Sequence, residues 1–377
     1  MKNRLIPATI TTFAAAALLA GCSKPADSFS LLSDEASFKQ DVAYVQRKVD
    51  ILWVIDNSGS MDISQQQLAS NFQSFINRFS QLGYDFQMGV TTTDAYQDYH
   101  YGTNTRSRLK DRGRDTKGTL NNCNDDTDRY TGIRIMDKNT PNLTQVFMNN
   151  IMQGVCGSGD ERGLSSMEKA LSNPNNNGFY RPGAFLSVII VSDEWDTSYY
   201  DWQNGTNSYK AWESYSVSNR PALFPISRFV DFMNTKTNTV AGGVRNWSVS
   251  TIAVLDSACK TQLDNADSSG FKRTLGTRYA DLADASQGTK GSLCANFGDT
   301  LSTISDQVVN LASVFKLNRE PIESTIVVRV DGVVIANSAS NGWTYDASPV
   351  AIHFHGSAIP AAGSDVRIAF DPKSVKL

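Results

Sequence analysis

Ile51-Leu52-Trp53-Val54-Ile55-Asp56-Asn57-Ser58-Gly59-Ser60-Met61 sets an unbroken apolar run against a short polar loop. Apolar residues at every position, rather than every second one, are what a strand buried on both faces requires. Downstream, Leu68, Phe72, Phe75 and Phe79 recur at helical spacing, and Gly83 is a natural stop. Phe86–Val90 reads as a strand, Phe185–Val191 as another fully buried one and Trp247–Val254 as a further one. Arg278–Ala285 reads as a short helix. A longer helix is expected from about Asp299 to Phe315, with Leu301, Ile304, Val308, Leu311 and Phe315 on one stripe. Strands alternating with helices predict an α/β fold with a mostly parallel sheet covered on both sides. Ligands of such sheets bind at the carboxyl ends of the strands.

Both flanks of this region have a different texture. After Leu317 the pattern is all strand: Thr325–Val330, an Asp331-Gly332 turn and Val333–Ala336 form a hairpin signal, followed by Val350–His355 and Asp365–Phe370. A small C-terminal all-β domain over residues 320–377 is therefore expected. At the other end, Lys2 and Arg4 precede the apolar, Ala-rich Leu5–Ala20, too short and too poor in large side chains for a membrane span. Leu19-Ala20-Gly21-Cys22 resembles a bacterial lipobox. The resemblance implies a signal peptide over 1–21, lipidation at Cys22 and, with uncharged Ser23 next, an outer-membrane destination. The membrane would then be met only through lipid, on the periplasmic or cell-surface face. Residues 22–46 read as a polar tether with a leading strand around Val42–Val49.

The chain has 377 residues, a formal net charge of -3 and 40% hydrophobic residues, which fits a globular protein and argues against one devoted to nucleic acid. Apart from Cys22, four cysteines remain: Cys123, Cys156, Cys259 and Cys294. An even set in an oxidising compartment predicts two disulfides with three possible connectivities; neighbour pairing, Cys123–Cys156 and Cys259–Cys294, closes the shortest loops and is the expected one.

The loop Asp56-Asn57-Ser58-Gly59-Ser60 follows a buried strand and precedes an amphipathic helix. It resembles the Asp-x-Ser-x-Ser metal-ion-dependent adhesion site of von Willebrand factor A domains. Helix caps also favour Asp and Ser, so the position of the motif, more than its composition, distinguishes it. The likeness spans about residues 47–317 and includes Gly89-Val90-Thr91-Thr92-Thr93-Asp94. It implies a doubly wound, Rossmann-like domain whose second loop supplies a Thr-like ligand. Gly157-Ser158-Gly159-Asp160-Glu161 puts Ser158 there, with Asp160 and Glu161 as competing ligands. A third ligand is implied at Asp193, where Val191-Ser192-Asp193-Glu194 carries Glu194 in place of the family's glycine and offers it as a possible additional metal ligand. Hydroxyl and carboxylate oxygens suit Mg²⁺ or Mn²⁺. By resemblance, Ser58 and Ser60 would bind the ion directly, Asp56 and Asp193 through water, and a partner's Asp or Glu would complete the coordination.

Beyond Asp193, Trp195, Tyr199, Tyr200, Trp202, Tyr209, Trp212 and Tyr215 lie among small polar residues, the composition of an adaptable binding loop. A recognition rim formed by Trp195, Tyr199, Tyr200 and Trp202 is expected. The basic run Arg106, Arg108, Lys110, Arg112, Arg114 and Lys117 reads as a solvated hairpin tip, with phosphate or polysaccharide as its functional alternative. Asn121–Asp128 is an acidic stretch that offers a Ca²⁺ site but lacks a recognisable loop spacing. His353 and His355 read as a surface pair. With only three histidines, none in a triad-like context, catalysis is not expected. The expectation is metal-dependent adhesion or ligand capture, with a protein or a surface glycan as partner; the alternative is a periplasmic scaffold or assembly factor using the same site, and a hydrolase is a distant third.

Overall fold

The computed structural model describes residues 38–43, 48–115, 127–200, 212, 215–267, 270, 272–361 and 363–374. The signal peptide, Cys22 and most of the tether fall outside them. In chain order, β1 (Phe38–Ala43) precedes β2 (Val49–Ile55), whose seven residues are all buried. Then come α1 (Asp62–Leu82), β3 (Phe86–Thr92), α2 (Gln97–Tyr101), a ribbon of β4 (Arg112–Asp115) and β5 (Thr127–Tyr130), β6 (Met136–Asp137) and α3 (Leu143–Ile151). They are followed by α4 (Gly163–Ser172), β7 (Phe185–Ser192), α5 (Ile226–Lys236), β8 (Trp247–Ala253), α6 (Ser257–Ala266), α7 (Thr277–Ser286), β9 (Lys290–Ser292) and α8 (Phe297–Ala312).

Six strands form one sheet in the order β6-β3-β2-β7-β8-β9, parallel throughout except for β6. Strand residues point alternately to the two faces, and both faces are apolar. Ile51, Trp53 and Ile55 of β2 join an apolar cluster with side chains of α1, α3 and α8, among them Phe72, Phe147 and Leu301. Leu52 and Val54 join a second cluster with Leu164, Met167, Phe229 and Tyr279 from α4, α5 and α7. Helices therefore cover both faces. From β2 the chain passes first to β3 on one side and later to β7 on the other, so strand order reverses between β2 and β7. Their carboxyl ends open a crevice there, the usual place for a ligand in such a sheet.

The remaining strands are β10 (Val314–Lys316), β11 (Val327–Val330), β12 (Val333–Ile335), β13 (Trp343–Ala347), β14 (Val350–Phe354) and β15 (Asp365–Phe370). They make two small antiparallel sheets, β10-β14-β13 and β1-β15-β11-β12. The turn between β11 and β12 has Asp331 and Gly332 at φ 50° and 81°, the left-handed pair that a two-residue hairpin demands. Val308 of α8 and Val328, Ile352 and Ile368 of these sheets lie in one apolar cluster, and Phe38–Leu377 is a single compact unit.

Two expectations need correcting here. The leading strand is Phe38–Ala43 rather than Val42–Val49, and it pairs with β15 in the C-terminal sheet. The long helix stops at Ala312, because Val314–Lys316 turns extended to pair with Ala351–His353 of β14. Its start is fixed by Asn296, whose side chain accepts from the Asp299 amide at 3.0 Å.

Candidate functional site

Asp56, at the end of β2, is fully buried. One carboxylate oxygen accepts the Ser58 amide at 2.8 Å and the other the Ser192 hydroxyl at 2.6 Å. The Ser58 and Ser60 hydroxyls lie 3.4 Å apart, and Ser60 Oγ donates to Asp193 Oδ1 at 3.0 Å. The first and third loops thus meet side chain to side chain in the crevice. Gln65, a buried amide on α1, ties in the second loop. Its Nε2 donates to the carbonyls of Asp56 (2.8 Å) and Gly154 (2.9 Å), and its Oε1 accepts the Gln153 and Gly154 amides. Gly157 completes the junction by donating its amide to Asn57 O at 2.7 Å. A Cβ at Gly157 would stand 2.6 Å from Asn57 atoms, so only glycine fits this approach.

The three second-loop candidates have different fates. Ser158 donates its amide to Asp94 Oδ1 (3.0 Å), and its hydroxyl accepts the Asp160 amide (3.1 Å). Asp160 is held by Arg162 at 2.7 Å and by the Thr197 hydroxyl. Arg162 is itself fully buried, 4.5 Å from the Tyr96 ring centroid and 4.0 Å from that of Tyr199. Glu161 is also buried; its carboxyl hydrogen-bonds that of Glu194, and its Oε1 has no hydrogen-bond partner among the described residues.

Burial pushes Asp56 well above the usual carboxylate range, and the neighbouring charges of Asp193 and Glu194 add to the effect. Glu161 is raised well above its range by burial, then by Asp56 and Glu194. Asp193 is raised by burial although Ser60 and Arg273 pull the other way. Four carboxyl groups so close in a desolvated crevice repel one another and favour protons or a cation among them. Arg273 offsets part of this charge: its Nε lies 3.0 Å from Asp193 Oδ2, and the same guanidinium reaches Asp267 at 2.7 Å. Neither Arg273 nor Gln65 was legible as a site residue. A buried Gln on the apolar side of α1 was the one available hint. Among the described residues, no three His, Cys, Asp or Glu side chains form a metal-holding group by themselves; the oxygen donors here are carboxylates mixed with hydroxyls.

The aromatic segment departs from expectation. Tyr199 is fully buried against Arg162, so it is not part of a recognition rim; the buried guanidinium needs its ring as a wall. Trp195 is half-buried and meets Trp212 edge to face, with ring centroids 5.4 Å apart. Tyr200 is 60% exposed. Trp202 and Tyr209 lie outside the described residues, as do Lys117 and residues 121–126 of the acidic stretch. The Cys259–Cys294 disulfide is present. Cys156 is also disulfide-bonded, and its expected partner Cys123 lies outside the described residues. The two histidines are half-buried neighbours: His353 has a buried Nε2, and His355 Nε2 lies 2.8 Å from the Thr344 hydroxyl.

No family model matches the chain, and no curated protein matches it. Among solved structures, the pilus adhesin SpaC of Lactobacillus rhamnosus GG in its open conformation is similar at 11% identity and a TM-score of 0.39, over 89% of this chain and 40% of that one. The proximal thread matrix protein 1 of the mussel byssus is similar at 13% identity and a TM-score of 0.32, over 74% and 51%. The pilus adhesin RrgA of Streptococcus pneumoniae is similar at 11% identity and a TM-score of 0.29, over 89% and 58%. The chain therefore spans between two fifths and three fifths of the length of these structures.

Proposed function

We propose that the chain carries a von Willebrand factor A-type domain, doubly wound in the Rossmann-like manner, whose crevice between β2 and β7 holds Mg²⁺ or Mn²⁺ and captures an acidic group of a partner. The observation that carries this reading is the convergence of Ser58, Ser60 and Asp193, with the Ser60 hydroxyl 3.0 Å from a carboxylate 133 residues away. The donor set is all oxygen, as a hard cation prefers. Glu161 supports it as well: its carboxyl hydrogen-bonds that of Glu194, its Oε1 has no hydrogen-bond partner among the described residues, and a cation would relieve this buried pair of acids.

In this reading Ser58 and Ser60 supply hydroxyl oxygens, while Asp56 and Asp193 supply charge. Glu161 is the second-loop ligand in preference to Ser158, whose hydroxyl already accepts from the Asp160 amide. Glu194 adds negative charge at the rim. Arg273 holds one oxygen of Asp193 and leaves the other toward Ser60. Gln65 fixes the spacing of the first two loops. When bound, the ion supplies a Lewis-acidic point for a partner's Asp or Glu, or for an acidic group of a surface glycan. In this reading the site binds rather than catalyses, its hydroxyls serving as metal ligands and not as activated nucleophiles. With the lipobox-like Leu19–Cys22, the reading is of a lipid-anchored adhesion or ligand-capture protein of the bacterial outer membrane.

Manganese titration of the full chain, followed by electron paramagnetic resonance, tests it. One bound ion per chain is expected, with Ser58→Ala and Glu161→Gln each weakening it about 10- to 100-fold. A folded wild-type chain that binds no Mn²⁺ would overturn the proposal. Pull-downs from envelope extract in Mg²⁺ and in chelator then identify the partner.

A further inference from the structure

Beside the first loop lies a cavity of about 510 Å³, within the ~300–1,000 Å³ of small-ligand sites. Asn57, the residue between Asp56 and Ser58, forms part of its wall and donates to Asp94 Oδ2 at 3.1 Å. Five cationic side chains line it: Arg106, Arg108, Lys110, Arg112 and Arg134. Among the described lining residues two carboxylates, Asp94 and Asp111, stand against them, and Asp111 is already paired with Arg134. Arg106, Arg108 and Lys110 make no ion pair among the described residues. Lys110 is pushed down to about 8, by burial first, with Arg112 and Arg106 adding to the effect against Asp94 and Asp98. Among the described residues the cavity carries more positive than negative charge, with Arg106, Arg108 and Lys110 as the surplus.

The backbone that carries Arg106, Arg108 and Lys110 is a fixed frame, while the side chains of Arg106 and Arg108 are exposed. Asp98 is buried and accepts the Ser107 amide and hydroxyl at 2.7 and 2.6 Å, together with the Arg106 amide at 3.2 Å. Asn176 grips the same segment, accepting the Leu109 amide at 2.9 Å and donating to Ser107 O at 2.8 Å. Lys110 donates its amide to Val90 O of β3 at 2.8 Å. A site held open in this way loses little freedom on binding an anion.

We propose that this cavity is a subsite for an anionic sugar residue of an acidic glycan, lying beside the metal-binding crevice and separate from it. Its described lining is mostly amide, hydroxyl and cationic groups with the carboxylates of Asp94 and Asp111, and Leu109 is the one large aliphatic side chain among them. Protein partners are anchored by apolar and aromatic side chains in pockets that match them, and this wall offers no such pocket. A pyranose ring instead needs hydrogen-bonding groups at its edge and an aromatic face. Tyr130, 67% exposed in the cavity wall, has the Arg112 guanidinium over one face of its ring at 5.0 Å and offers the sugar its other face, while the guanidinium groups meet a carboxylate or sulfate. The inference goes beyond the metal reading, because these groups hold an anion with or without a metal.

Calorimetric titration of the full chain in chelator tests it with four probes: an oligogalacturonate, a sulfated heparin oligosaccharide, neutral maltotetraose and hexaglutamate. At least one acidic oligosaccharide is expected to bind, more weakly as salt rises, and maltotetraose is not. The choice between the first two tells carboxylate from sulfate. Arg108→Glu and Arg106→Glu, both exposed positions, should each weaken binding about tenfold or more, while Ser58→Ala leaves it unchanged. Hexaglutamate binding as tightly as the sugars would overturn the glycan assignment in favour of an acidic peptide. No binding of either acidic sugar, no effect of either charge reversal in a folded variant, or binding that requires Mg²⁺ and vanishes in Ser58→Ala would overturn the subsite itself. Failure of Mn²⁺ binding alone would remove the metal reading and leave this one standing.

Discussion

Asp98 shows how one buried side chain can set the shape of a surface. Burial would raise its pKa, yet hydrogen bonds from the Ser107 and Thr103 hydroxyls and from the Ser107 and Arg106 amides hold it below the usual carboxylate range. A carboxyl group with a lower pKa folded than unfolded releases its proton more readily in the native state. Its contribution is therefore present above about pH 4 and is lost as pH falls through the folded value. Asp98→Asn should cost about 2 kcal/mol at pH 7, from the lost charged acceptor. It should also make stability less steeply dependent on pH below 4, as read by urea unfolding at a series of pH values. Equal slopes in the two proteins would remove Asp98 from this role. At this scale the sequence spoke clearly only where the chemistry is local. Asp56, Ser58 and Ser60 form one short motif, and Asp193 ends the next long apolar run. Arg273 and Gln65 carry no local pattern, since each acts on groups far away along the chain. Tyr199 belonged by composition to a binding loop, and nothing nearby in the chain announces that a buried Arg162 requires its ring.

The strands and helices were more legible than their ends. Apolar runs in β2 and β7 marked strands buried on both faces, although Asp50 in β2 and Ser187 and Ser192 in β7 are polar and buried with them. Where α8 stops was not legible: Phe315 continues the helical stripe, but β14 offers Val314–Lys316 a ladder instead, and the tertiary partner outweighs the local period. Elements also set the accuracy of the site, and Gly157 is where two of them come closest. The Cβ added by Gly157→Ala would press on Asn57 and drive the first and second loops apart. A loss of about 1–3 kcal/mol in thermal unfolding is expected, as for overpacking generally. Weaker Mn²⁺ binding should accompany it. Gly159→Ala, whose Cβ meets nothing within 4 Å, is the matched control and should leave both readouts near wild type. Indistinguishable behaviour of the two variants would mean that the loops tolerate separation.

For the molecule as a whole, the arrangement least visible beforehand is the joining of its two flanks. A mostly parallel core sheet and a late group of strands were both expected. That Phe38–Ala43 would cross to the far end of the chain and pair with Asp365–Phe370 was not, because pairing over that separation leaves no periodic trace in either segment. Removing residues 1–43 should expose the backbone edge of β15. Unpaired edges template self-association, so the truncated protein should lose about 1–3 kcal/mol of stability and scatter light at concentrations where the intact chain does not. A monodisperse truncation with unchanged melting would show the ladder to be dispensable. The ladder also has a mechanical meaning. Any pull on the residues before Phe38 meets β1 first, and six consecutive register pairs spread that tension into the C-terminal sheet before it can reach the short link to β2. Like the clamp that grips a cable just short of its plug, the ladder keeps such a pull from dragging Asp56 out of line.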